Sequence, residues 1–141
     1  MVEKKRNHGD TETRRLHGDF TEASRRAQGV AGTATHRVLR PGLLESAYEA
    51  CLCREFELRG LKLTRQTGLP LEYKGINLDC GYRTDIVVEG RVLVEVKAIE
   101  SVAAVHEAQL LTYLRLTGCR VGLILNFFVP IMKQGIIRRV L

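Results

Sequence analysis

The chain has no apolar run long enough to cross a bilayer. Its most apolar stretch, Val121 to Met132, is interrupted by Asn126 and Pro130, whereas a spanning helix needs about 20 predominantly apolar residues. No membrane association is expected. The opening residues are charged and lack an apolar core, so no secretory signal is expected either. Cysteine spacing excludes the usual zinc patterns. Cys51 and Cys53 are two apart on an expected helix and point different ways, and Cys80 and Cys119 are isolated. Reduced, mostly buried thiols in a cytoplasmic protein are the expectation. A strong charge bias in the body is also missing. Net charge is +6, but residues 1–40 hold nine Lys/Arg against five Asp/Glu, and residues 41–141 hold thirteen against eleven. The body is thus nearly balanced, which permits a nucleic-acid partner without arguing for one.

What is present suffices for one globular domain: 141 residues, 45% of them apolar. Residues 1–19 read as a disordered polar tail in which His-Gly-Asp occurs twice, and residues 20–141 as the folded domain. Thr21 and Glu22 open an expected helix reaching about Leu39, weakened by Gly29 and Gly32. After the Arg40-Pro41-Gly42 break, a second helix is expected from about Leu43 to Arg59, closed by Gly60. Strands follow near residues 61–66 and 69–73, with a turn at Lys74-Gly75. A third helix is predicted from an N-cap at Ser101 to Thr117, and it is apolar nearly all round and so largely buried. A short buried strand at 120–126 and an edge strand at 135–141 complete the order.

The chain is organised around two strands, Arg83 to Val88 and Val92 to Lys97. Alternate strand residues point to opposite faces, so Leu93, Glu95, Lys97 and Ile99 share one side. A two-residue loop at Glu89-Gly90 pairs residues whose numbers sum to 179 and puts Asp85 on the wrong face. A three-residue loop, Val88-Glu89-Gly90, makes the sum 178, with Gly90 in the left-handed position that such loops favour. Asp85 then lies opposite Leu93 and diagonal to Glu95, and Arg83 lies opposite Glu95. Two carboxylates and a lysine converge. Such a patch suits Mg²⁺, or Mn²⁺, held by carboxylates with phosphate and water completing the shell. A solvated face of alternating charge is the plainer alternative.

Two helices add polar groups to apolar faces. Leu44, Tyr48, Leu52 and Phe56 mark the buried side of the second helix, and Glu45 falls inside that stripe, where a carboxylate needs a partner. Its place in the first turn also suits the helix dipole. On the third helix His106, Gln109 and Tyr113 form one polar ridge that must find partners, whether backbone groups, phosphate, a base or the carboxylates opposite. Gln66, between two strands, is a candidate for touching substrate, with loop scaffolding the first reading, and His36 is read as a packing or surface residue.

Gly42-Leu-Leu-Glu45-Ser-Ala-Tyr48 resembles the Gly-x-x-Glu-x-x-Tyr signature of the GxxExxY protein family, part of the PD-(D/E)xK nuclease superfamily. The resemblance continues through Tyr82-Arg83-Thr-Asp85, Val94-Glu95-Val-Lys97, His106-Glu-Ala-Gln109-Leu-Leu-Thr-Tyr113 and Asn126-Phe127, and covers about residues 30–141. Thr84 stands where the superfamily name has proline; Arg40 and Phe128 stand where small residues are usual. The resemblance implies a restriction-endonuclease-like αβββαβ core, a mixed sheet flanked by helices. It implies that Asp85 and Glu95 bind Mg²⁺ or Mn²⁺, that Glu45 completes the metal shell, and that Lys97 is the catalytic lysine. Gln109 and Tyr113 look like the Gln-x-x-x-Tyr element of RecB-like nucleases, and His106 and Arg83 are the further candidates for substrate contact. The implied partner is nucleic acid, DNA before RNA, and a homodimer is compatible with it. The competing functions are a nucleic-acid-binding or complex-assembly module that keeps the fold without cleavage, and a scaffold whose acids serve only packing.

Overall fold

A computed structural model describes residues 22–141. The expected tail at 1–19, with its repeated His-Gly-Asp, and Thr21 lie outside the described residues. The first helical segment is π-helical over Arg26–Ala31 and continues as α1, Gly32–Leu39. Next come α2, Glu45–Leu58, and strands β1, Leu63–Gly68, β2, Leu71–Tyr73, and β3, Ile76–Leu78. The central strands are β4, Arg83–Val88, and β5, Val92–Lys97. They are followed by α3, Ala104–Thr117, β6, Val121–Asn126, and β7, Ile136–Val140.

Five strands form one mixed sheet in the order β1-β4-β5-β6-β7. Strands β5 and β6 run parallel, and the other neighbouring pairs run antiparallel. A parallel pair cannot be joined by a tight turn, and α3 is the crossover between them. The helices flanking this mixed sheet are those expected of a restriction-endonuclease-like fold. One departure is the β2–β3 pair, a small separate sheet that leaves Tyr73 and Ile76 exposed. The expected strand at 69–73 therefore does not join the main sheet. Among the described residues no helix is long and apolar enough to cross a membrane.

Period-two alternation sorts the core. Val92, Val94 and Val96 of β5 and Leu123 and Leu125 of β6 pack with Tyr48, Leu52 and Phe56 of α2 and with Ala27 and Ala31. On the opposite face Leu93 and Ile124 meet Leu110, Tyr113 and Leu114 of α3. With helices on both faces, β6 is buried throughout. His36 is buried, its Nε2 2.7 Å from the Val129 carbonyl oxygen and its ring stacked on Phe127, a packing role.

Several boundaries differ from expectation. The hairpin pairs Ile86 with Val94, Val87 with Leu93 and Val88 with Val92, so the numbers sum to 180 rather than 178. Glu89 and Gly90 both have positive φ, as in a type I′ turn, and Arg91 N–H donates to the Val88 carbonyl at 3.0 Å. Arg91 then enters as an extra residue beside Val92 and shifts the register by one. Glu89 is held in place because Lys62 N–H donates to its Oε1 and its own N–H donates to the Lys62 carbonyl. Leu44 is 78% exposed because it is the extended residue before α2, not part of its buried side. The third helix starts at Ala104, not after Ser101, and is half-exposed, with Val105, Ala108 and Leu116 outside the core. Cys53 and Cys119 are buried as expected, whereas Cys51 and Cys80 are exposed; all four are free.

Helix α3 rides close on the sheet at Gly122. A Cβ there would meet Leu110 Cδ1 at 2.9 Å and Leu114 Cδ1 at 3.0 Å. Gly122→Ala is expected to lower stability by about 1–3 kcal/mol through overpacking, read as a lower urea midpoint. Trimming the facing side chain in Gly122→Ala/Leu110→Val should recover part of the loss. An unchanged midpoint for Gly122→Ala would show that the helix is not held this tightly.

Candidate active site

The ladder between β4 and β5 ends at Ile86 and Val94, and the next residues in register are Asp85 and Glu95. Beyond that point two backbone N–H groups have carboxylates as acceptors. Asp85 N–H donates to Glu95 Oε1 at 3.3 Å, and Val96 N–H donates to Asp85 Oδ2 at 2.8 Å. These two backbone donors thus stay satisfied where the strands part. Asp85 is half-buried and Glu95 is 5% exposed.

Burial first, and then the Asp85 charge beside it, push the Glu95 carboxyl up from 4.5 to about 8, against the lowering effects of the Asp85 N–H bond and Lys97. Burial also raises the Asp85 carboxyl, and Glu49 and Glu45 raise it further, while Val96 N–H and Lys97 oppose them. Burial and like charge, two of the general causes of a raised carboxyl pKa, act here together.

Helix α2 contributes two acids. Glu45, half-buried in its first turn, accepts Ala98 N–H at 3.2 Å on Oε1, just past the end of β5. One turn later Glu49, 7% exposed, accepts from Arg65 Nε at 3.1 Å and from Gln66 Nε2 at 2.9 Å. The Gln66 amide also reaches Asp85 Oδ1 at 3.5 Å. Gln66 lies within β1 at φ +47, with Arg65–Ile86 and Thr67–Thr84 pairing on either side of it. A non-glycine residue held there costs on the order of 1–3 kcal/mol, and its side chain links two of the acids. The sequence singles out no role for Glu49, and it offers Gln66 as loop scaffolding or a substrate contact, whereas the structure places Gln66 within β1, bonded to Glu49 and Asp85. The one available signal for Glu49 was its spacing of four from Glu45.

Lys97 is half-buried on the same strand as Glu95. The backbone after it is clamped by Asn126, whose Nδ2 donates to the Ile99 carbonyl at 2.8 Å and whose Oδ1 accepts Ile99 N–H at 3.1 Å. Phe127 N–H donates to the Lys97 carbonyl at 2.8 Å. Phe127 in turn stacks on Tyr48 with centroids 4.5 Å apart, and the Tyr48 hydroxyl donates to the Arg40 carbonyl and accepts Leu43 N–H. One chain of contacts thus runs from the loop before Glu45 to the backbone of Lys97.

The polar ridge of α3 divides its bonds. His106 Nδ1 accepts Ala103 N–H at 2.9 Å, a cap on the helix start, and Gln109 Nε2 donates to the Tyr113 hydroxyl at 3.0 Å. These three side chains and Lys97 line one cavity. Burial and the nearby Glu95 charge raise the Tyr113 phenol. Arg83 does not lie across from Glu95 as the expected register has it. The shift to a sum of 180 carries it past the end of the ladder, and it is exposed.

The donors at this point are carboxylate oxygens, which suit Mg²⁺ or Mn²⁺. Asp85 and Glu95 are drawn together; Glu45 bonds farther along the strand. Among the described residues no three His, Cys, Asp or Glu side chains form a group able to hold an ion. An oxygen-seeking ion typically needs only one or two carboxylates beside phosphate and water, and the crowded Asp85–Glu95 pair meets that requirement.

The raised Glu95 carboxyl has a stability consequence. Its folded value, about 8, exceeds its ordinary 4.5, so the native state holds more protons between those limits. The contribution is complete below about pH 4.5 and is lost as pH rises through about 8. At about 1.4 kcal/mol per unit, the loss is on the order of a few kcal/mol. Without divalent ions, the melting temperature of the unmodified protein should fall from pH 5 to pH 9, and Glu95→Gln should flatten that slope. Parallel curves for the two proteins would refute this account of the pair.

No curated protein and no solved structure matches the chain. A family model described as the PD-(D/E)XK nuclease superfamily matches residues 22–140, nearly the whole of the described chain. With the mixed five-stranded sheet and the acids at the parting of β4 and β5, that match shows that the chain belongs to the PD-(D/E)XK nuclease superfamily.

Proposed function

We propose that the chain is a divalent-metal-dependent nuclease that hydrolyses phosphodiester bonds in DNA or RNA. It would be a member of the GxxExxY family, with a RecB-like Gln-x-x-x-Tyr helix. The supporting observation is the Asp85–Glu95 pair, half-buried and buried in turn, each acid tied to a backbone N–H of the opposite strand, with Lys97 two residues beyond Glu95. Asp85 and Glu95 would hold Mg²⁺ or Mn²⁺. When bound, the ion would acidify a water and offset charge developing on the phosphoryl oxygens. Glu45 would add negative potential from the first turn of α2, its Oε1 already engaged by Ala98 N–H.

The remaining work falls to the chain's own side chains. Lys97 Nζ would orient the attacking water and steady a non-bridging phosphate oxygen. Gln109 and Tyr113, bonded to each other, would contact the substrate beside it, and His106 would do so from one turn earlier. Arg83, exposed at the start of β4, would reach a neighbouring phosphate. Glu49, Gln66 and Asn126 would act through others: the first two position Asp85, and Asn126 fixes the backbone beyond Lys97. The four free thiols agree with a reducing, cytoplasmic setting.

Purified protein should cut DNA or RNA with Mg²⁺ or Mn²⁺ and not with EDTA. Asp85→Asn and Lys97→Met should each lower the rate by about 10²-fold or more without a matching loss of folded structure by circular dichroism. Cleavage that survives both changes would sink the assignment. Salt-dependent nucleic-acid binding with no cleavage in either metal would favour the binding-module reading.

A further inference from the structure

We propose that the cavity beside Lys97 receives an unstacked nucleobase, making single-stranded or frayed nucleic acid the substrate rather than intact duplex. This rests on the nuclease reading for its chemistry but not for its geometry. The cavity measures about 670 Å³, within the range of small-molecule sites. Leu71, Tyr82, Ala108 and Leu116 are among the residues that line it, and Lys97 lines it too. The recess is lined by α3, Tyr82 and Lys97 and is of a size for a single base, which must leave its stack to enter.

The groups lining the recess suit a base. Tyr82 is 45% exposed and meets Tyr113 edge to face with centroids 6.2 Å apart, which leaves ring surface available for stacking. Its backbone is held because Leu69 N–H donates to its carbonyl at 2.7 Å. Gln109 gives one amide N–H to Tyr113, leaving its other N–H to donate, its oxygen to accept and the Tyr113 hydroxyl to donate. His106 accepts Ala103 N–H on Nδ1, which assigns the ring proton to Nε2. Acceptors and donors together match the mixed edge of an unpaired base. Lys97 both lines the recess and lies two residues from Glu95. A base seated here would therefore belong to a nucleotide at or next to the phosphate being cut.

The test uses the full chain and fluorescence anisotropy in EDTA and in Ca²⁺, so binding is read without cleavage. The probes are a short labelled single strand, the same strand carrying abasic sites, and the blunt duplex. The intact strand should bind about 5- to 100-fold tighter than the abasic one, the worth of one stacked base. Ala108→Phe, which fills the recess from an exposed helix position, should erase that difference, and Tyr82→Leu should reduce it; circular dichroism confirms folding of both. Equal affinity for intact and abasic strands, or a preference untouched by both variants, would overturn the base site even if cleavage persists. Failure to bind any strand would overturn it too, and capture of an apolar peptide instead would assign the recess to a protein partner. Base-dependent binding with no cleavage in Mg²⁺ or Mn²⁺ would leave the base site standing and remove the nuclease reading.

Discussion

Two backbone N–H groups just past the end of the β4–β5 ladder go to carboxylates, Asp85 N–H to Glu95 and Val96 N–H to Asp85. These bonds keep two donors satisfied where the strands part and set two carboxyl groups side by side, Glu95 buried and Asp85 half-buried. A carboxylate pair so placed is stable when one member keeps a proton or when a cation joins it. A buried ionised pair with neither would be strongly unfavourable. The site therefore stores an unmet electrostatic demand, and the surrounding residues are arranged around it.

That arrangement draws on both faces of the sheet. From one face, α2 supplies Glu45 to the end of β5 and Glu49 to Arg65 and Gln66. From the other, α3 supplies His106, Gln109 and Tyr113 to the recess beside Lys97. The meeting point is the carboxyl end of β5, where its parallel pairing with β6 ends at Lys97 and Asn126. Open sheets with parallel strands place ligands at such ends, since the chain must leave the sheet there. Asn126 makes that exit rigid by holding both polar groups of Ile99, so the backbone carrying Lys97 does not depend on a loop.

The sequence pattern made the faces of β5 legible because its alternation is strict and both faces are buried. The register was less legible. Glu89-Gly90 fits the turn, but the extra residue Arg91 depends on how Glu89 docks on Lys62, a contact 27 positions away in sequence. The error spared the conclusion, because sums of 178 and 180 have the same parity and leave Asp85 and Glu95 on one side. Arg83, which depended on the sum itself, did not survive. The helical stripe that took in Leu44 failed where the helix had not begun, and α3 looked buried because its exposed apolar residues border a recess that composition cannot reveal. Gln66 was hidden for a different reason. Its role comes from positive φ inside a strand, a conformation no propensity favours for glutamine and one that only the surrounding contacts sustain.

How a body with so little excess charge could hold a polyanion is a quantitative question. Neutralising each phosphate releases counterions, and affinity gained that way needs many cations on one surface. Residues 41–141 carry thirteen Lys/Arg against eleven Asp/Glu, and two of those acids, Asp85 and Glu95, are drawn together at the proposed site. Charge alone would then disfavour substrate at the site until a divalent ion offsets it. A stacked base supplies attraction that does not depend on charge, at about 1–3 kcal/mol per base. On this chain the ring available for it, Tyr82, lies three residues from Asp85. Affinity from the base and polarity from the ion are then separable, which is why binding and cleavage in such a site can fail independently.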